Sequence, residues 1–348
     1  MGDIGSPLVT RRIAVLSVGA VLLLLFGVLG TSVPVPYVAQ VPGPTFNTLG
    51  EIDGEPIIEV QGRERDDVAG DLTLTTVGVS RGGLSLVQAV RGWFDDEVSV
   101  VPEETVYPPD RSEEETRQVN RQAFLTSEQA AESVALGELG YPEKVVVRGV
   151  AEESPAEDRL EEGDALESID GRPVPDSDVL ADVLADIPPG STVTVGYTRL
   201  GEPGTTTVTT KAAEGRAGSL LGISVLDQPA APFDVDIQVA DVGGPSAGLM
   251  LTLGILDLVG EEDLTGGAVV AGTGTIDLEG NVGPIGGVPL KMLAARDIGA
   301  ELFLVPADNC AEAVAGPDAG VPMAKVATLD DALAALADLR AGRTPESC

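Results

Sequence analysis

The longest apolar run in the chain is Ile13 to Val33, 21 residues without a charge. That length is enough to cross a bilayer as a helix. Downstream the pattern changes. Pro34 to Pro44 carries four prolines and reads as a linker. Ile57 to Val60 and Asp71 to Val77 are β-like, while Leu84, Val87, Val90, Arg91 and Phe94 recur at helical spacing. The acid- and proline-rich stretch Pro102 to Glu115 predicts an exposed loop, followed by a long helix from Thr116 to Leu139. A block from about Lys144 to Ala212 then predicts strands at Val145–Val147, Val193–Val195 and Thr205–Lys211. It also predicts a capping box at Ser154-Pro155-Ala156-Glu157 and a helix over Val179–Ile187.

From Gly222 to Arg340 strands and helices alternate. Strands are expected at Val235–Val239, Ala268–Ala271, Thr275–Leu278 and Leu302–Val305, and helices at Ser246–Val259, Leu290–Ile298 and Leu329–Arg340. This is an α+β or α/β pattern, with no internal repeat.

Composition narrows the function. A length of 348 residues suggests two or three domains. With 43% hydrophobic but only 3% aromatic residues, the cores must be built from Val, Leu, Ile and Ala. A formal charge of −35 repels phosphate backbones, so nucleic acid is excluded as a partner; the acidic residues read as a solvated surface. The chain has no histidine and only Cys310 and Cys348, so four-cysteine zinc and the usual transition-metal sites are excluded and no cofactor is expected. A Cys310–Cys348 disulfide would require a compartment outside the cytoplasm. Arg11 and Arg12 precede the apolar run, which places the N-terminus in the cytoplasm and the body of the chain outside it. The alternative, a cleaved signal peptide, gives the body the same location.

Two motifs carry candidate chemistry. Ser246 lies in Gly243-Gly244-Pro245-Ser246-Ala247-Gly248, where a glycine turn gives way to a helix. Free N–H groups at such a helix start can stabilise an oxyanion. Without histidine, a nucleophilic Ser246 needs another base, and a desolvated lysine is the established substitute. Lys291, at the N-terminal end of the apolar helix Leu290-Lys291-Met292-Leu293, is electrostatically misplaced there, and burial would bring its pKa toward neutrality. The plain readings are an N-cap serine in a turn and a solvated lysine.

Together with Ala271-Gly272-Thr273-Gly274-Thr275-Ile276-Asp277 between them, these motifs resemble the proteolytic domain of the Lon family, from about Asp241 through Pro306. The resemblance implies Ser246 as nucleophile, Lys291 as general base, Thr273 as the neighbour that holds the lysine, and Gly244 and Ala247 as supporting residues. It further implies that Val235–Val239 pairs with an extended substrate. One departure stands out: Gly243 occupies the position, three before the serine, where most such sites carry an acidic residue, and Asp241 would have to supply any orienting role.

Ser154-Pro155-Ala156, Gly163-Asp164, Ile169-Asp170-Gly171 and Tyr197-Thr198-Arg199 resemble a bacterial PDZ domain, with Gly137–Tyr141 as the candidate carboxylate-binding loop. The expected fold is therefore α+β, a Lon-type proteolytic domain with an inserted PDZ domain behind one transmembrane helix. The expected boundaries are a cytoplasmic tail at 1–12, an anchor at 13–33 and a linker with the first part of the protease at 34–143. The PDZ domain follows at 144–212, the catalytic part at 213–340 and a tail at 341–348.

The expected function is a membrane-anchored serine endopeptidase acting on extended peptides or unfolded proteins, with the PDZ domain selecting or regulating substrate through a peptide ligand. No Gly-x-x-x-x-Gly-Lys-[Ser/Thr] occurs, so ATP independence is expected. Assembly into a homo-oligomeric ring is implied by the resemblance alone. The alternative is a non-catalytic peptide-binding scaffold on a degenerate protease fold.

Overall fold

The apolar run folds as a helix, Pro7–Ser32, of which Ala14–Ser32 is long and apolar enough to cross a membrane. The computed structural model describes residues 7–63, 68–80, 82–213, 218–239 and 243–348.

A six-stranded mixed sheet organises the rest. Its order is Met323–Val326, Leu302–Pro306, Val269–Gly272, Asp71–Val79, Tyr37–Asn47 and Ser99–Pro102. The first four strands run parallel, and Tyr37–Asn47 is antiparallel to both of its neighbours. Alternate residues cover opposite faces. Leu72, Leu74, Val270, Leu302 and Leu304 pack with helices Glu113–Glu138, Gly248–Val259 and Leu329–Arg340. Ala271, Phe303 and Val305 pack on the other side with helix Val288–Asp297.

A second sheet is inserted between strands Asp71–Val79 and Val269–Gly272. Its order is Glu202–Thr209, Thr192–Arg199, Ala165–Ile169, Glu143–Val150 and Ile223–Pro229, and it carries helix Ser177–Ala185 and its own core around Val147, Leu166, Ile169, Val195 and Leu221. Asp170 and Gly171, both with positive φ, make the tight turn between Ala165–Ile169 and Arg172–Pro173. The second sheet continues past Ala212 to Pro229. Arg148 reaches Glu132 on the long helix, 3.4 Å away, tying the two units together.

Three expectations are corrected. Pro34–Pro44 is not a linker: Tyr37–Asn47 is a strand bonded on both edges, and Pro42 and Pro44 fall where its register shifts, so the missing N–H groups cost no ladder bonds. Ser154-Pro155-Ala156-Glu157 opens no helix. The Ala156 N–H is taken by Leu221, Asp158 turns to positive φ, and Ser154 packs against Gly222. Finally, Glu143–Val150, which follows Gly137–Tyr141, is an interior strand with no free edge for a peptide. The sheet edge beside helix Ser177–Ala185 is Ile223–Pro229, reached through the turn at Leu221-Gly222.

Cys310 and Cys348 are disulfide-bonded, their Cα atoms 5.1 Å apart. The bond holds the C-terminal residues along Met323–Val326, where the Lys325 N–H donates to Glu346 and the Lys325 ammonium pairs with the Glu346 carboxylate.

Candidate active site

Parallel strands deliver their C-terminal ends, and the N-termini of the helices that follow, to one rim of the sheet. Here Thr273 follows directly on strand Val269–Gly272, Ser246 precedes helix Gly248–Val259 on one face, and Lys291 lies in the first turn of helix Val288–Asp297 on the other. Residues 45 positions apart meet over this end of the sheet.

The Lys291 Nζ is 2.9 Å from Ser246 Oγ and 2.9 Å from Thr273 Oγ1. The Thr273 hydroxyl donates to the Ser246 carbonyl at 3.0 Å, so toward the amine it can only accept. Lys291 is 3% exposed, and burial pushes its pKa down to about 8. Among the described residues both of its polar partners are hydroxyls.

The turn before Ser246 is clamped from both sides. The Gly274 N–H donates to the Ser246 carbonyl at 3.0 Å, and the Ser127 hydroxyl, from the long helix, donates to the Pro245 carbonyl at 3.0 Å. In a trans peptide the carbonyl and the following N–H point opposite ways. Fixing the Pro245 and Ser246 carbonyls therefore turns the N–H groups of Ser246 and Ala247 away from these partners. Among the described residues those two N–H groups donate to no protein acceptor. Gly244 differs: at φ 87° it makes the turn, and its own N–H is spent on the Asn120 carbonyl at 2.9 Å. The same helix crowds Gly243, where a Cβ would stand 3.1 Å from the Asn120 Cβ. An aspartate there would press Asn120 back by a few tenths of an ångström. Asp241 lies outside the described residues.

Beside Ser246 runs a cleft of about 610 Å³, its apolar walls formed by Pro44, Phe46, Leu74, Val77, Pro284 and Ile285. Strand Asp234–Ile237, expected to take up substrate, is paired along one edge with Ile58–Gln61, Val235 opposite Val60. Among the described residues no group of three or more acidic or cysteine side chains is set to hold a metal ion.

Ser246, Lys291, Thr273 and Ala247 thus come together, with Gly244 shaping the turn behind them. Ser127 and Asn120 were missed. Their only sequence signal is a place on a long amphipathic helix, which any core-facing polar residue shares.

Two family profiles match the chain: the PDZ domain over residues 113–210, and the Lon protease (S16) C-terminal proteolytic domain over residues 234–335. Curated relatives include a Lon protease of Azospirillum brasilense, 42% identical over 96 residues, and Lon protease 2 of Bacillus subtilis, 34% identical over 107 residues. These alignments cover 26% and 29% of this chain but only 11% and 19% of the relatives' own lengths. Among solved structures, the PDZ domain of the SdrC-like protein of Listeria monocytogenes is 25% identical, covering 24% of this chain and 87% of its own, at a TM-score of 0.23. The chain is a mixed α/β protein carrying a PDZ domain and a Lon-type C-terminal proteolytic domain.

Proposed function

We propose that the chain is a serine endopeptidase with a Ser246–Lys291 dyad, anchored in a membrane by Pro7–Ser32 and working without ATP. The observation that carries this reading is a buried lysine, lowered to about 8, within 2.9 Å of a serine hydroxyl and 2.9 Å of a threonine hydroxyl. In the neutral amine one N–H donates to Thr273 Oγ1 and the lone pair accepts the Ser246 proton. The Ser246 Oγ then attacks the scissile carbonyl, and the N–H groups of Ser246 and Ala247 hold the oxyanion. Lysinium protonates the departing amine. Water, deprotonated by the same lysine, releases the acyl group from Ser246.

The apolar walls of the cleft favour an apolar side chain next to the scissile bond. The chain carries no phosphate-binding loop of the Gly-x-x-x-x-Gly-Lys-[Ser/Thr] kind, so substrates are extended peptides or loosely folded proteins. The PDZ domain would select them by strand addition at Ile223–Pro229, beside helix Ser177–Ala185. The Cys310–Cys348 disulfide suits an oxidising compartment, in keeping with an N-terminus in the cytoplasm and the rest of the chain outside. The scaffold alternative leaned on Gly243. Against it, Ser246 and Lys291 lie 2.9 Å apart with a glycine at that position, which Asn120 crowds.

The test is casein cleavage by the full chain in detergent without ATP. Activity lost in both Ser246→Ala and Lys291→Ala is expected; cleavage that survives either substitution would sink the dyad.

A further inference from the structure

We propose that the short helix Leu86–Gly92, together with Trp93 and Phe94, is seated in the interfacial layer of the bilayer crossed by Pro7–Ser32. This rests on the reading of Pro7–Ser32 as a membrane span.

The surface is defined by residues that a soluble domain would bury. Leu86, Val87, Val90, Trp93 and Phe94 are 50%, 49%, 40%, 57% and 87% exposed, and their spacing puts them on one stripe. The opposite side of the helix, Ala89 and Gly92, packs into the domain.

Its place relative to the span is fixed, since no free linker separates them. Pro34 bridges to Ser85, the Val35 N–H donates to the Leu84 carbonyl at 2.7 Å, and the Leu84 N–H donates to the Tyr37 carbonyl at 2.9 Å. A Cβ at Gly30, two residues short of the helix end, would stand 3.3 Å from Val87 Cγ2. The 19 residues Ala14–Ser32 rise about 28 Å at 1.5 Å each, close to the ~30 Å hydrocarbon thickness. Gly30 is then still within the apolar layer or at its boundary, and Val87 touches it there.

The remaining chemistry suits that level. Trp93 stacks edge-on against Tyr37, centroids 6.0 Å apart, and such amphipathic rings favour the headgroup boundary. Arg91 can extend to lipid phosphates, and the exposed acidic run Asp95, Asp96 and Glu97 follows the patch in sequence. The catalytic domain would therefore rest on the membrane with a fixed face toward it.

Trp93 is the only tryptophan in the chain, so its fluorescence reports this surface alone. The experiment reconstitutes the full chain in phosphatidylcholine vesicles carrying bromines at shallow or deep acyl positions, with alkaline carbonate extraction run in parallel. The expected result is a blue-shifted Trp93 emission quenched more by shallow than by deep bromines, with the protein retained in the pellet. In Val90→Glu/Phe94→Glu the quenching should be largely lost while pelleting and casein cleavage persist. Retained protein with an unquenched, water-like Trp93 would overturn the proposal and leave the anchor standing. A blue-shifted but unquenched Trp93 would place a second copy of the chain on the patch, and would also overturn it. Release by carbonate would remove the anchor, and the proposal with it.

Discussion

Two cations lean into the interior of this molecule, and their surroundings are opposite. In the PDZ domain, Arg199 bonds Asp164 through Nε at 2.6 Å and through Nη2 at 2.8 Å, and reaches Glu161 through Nη1 at 2.7 Å. Asp164 is wholly buried, and these bonds hold the guanidinium firmly protonated, its pKa raised. In the proteolytic domain, Lys291 bonds only hydroxyls among the described residues and is pushed down to about 8 by burial. A compensated charge adds order. An uncompensated one costs stability and gains a reactive lone pair. The contrast distinguishes the two pairs more sharply than either sequence motif does.

The largest effect should come from Lys291→Met. We predict a fall in kcat of about 10³-fold or more, the loss of a general base, measured on a chromogenic peptide. The same variant should be more stable than wild type, by roughly 1–3 kcal/mol at pH 7 in urea unfolding. The sign follows from linkage. The lysine pKa is lower folded than unfolded, so wild type loses stability as pH falls from about 10.5 to about 8, and that loss is constant below. The gain in Lys291→Met should therefore shrink toward zero above about pH 10; a gain independent of pH would mean that the amine is not strained by burial.

Arg199→Ala should do the reverse. It strands a buried carboxylate, at a cost of roughly 2–3 kcal/mol once the partial exposure of the arginine is allowed for. The pH profile of hydrolysis should be unchanged, and a shifted profile would show that the PDZ pair reaches the dyad.

Ser127→Ala is the smallest. Losing one hydrogen bond to the Pro245 carbonyl is worth about 1 kcal/mol, hence a fall in kcat of roughly five- to tenfold with KM and pH profile unaltered. A change confined to KM would mean that the serine positions substrate, not the Ser246 amide.

How much of this could be read along the chain depends on how local the signal is. Ser246 and Lys291 each follow a glycine turn that opens an apolar helix, and those turns mark them without any knowledge of the fold. Ser127 and Asn120 carry no such mark. They reach the turn before Ser246 only because the long helix doubles back across the chain, with the whole PDZ insertion between them and Ser246 in sequence. Proline density misled at Tyr37–Asn47, because a register shift absorbs the missing donors of Pro42 and Pro44. Local capping chemistry misled at Ser154, where a bond from Ala156 to Leu221 outweighs a helix start. Exposed Val87, Val90 and Phe94 fit the helical spacing of a buried face, and the place of Val87 beside Gly30 is what gives that face another partner.

The most direct measurement is the rate of Ser246 acylation by a fluorophosphonate as a function of pH, in wild type and Lys291→Met. A rate that rises through an apparent pKa near 8 in wild type, and is lost in Lys291→Met, is the expected result. A flat profile, or one that Lys291→Met leaves intact, would contradict the lysine as the base that activates Ser246.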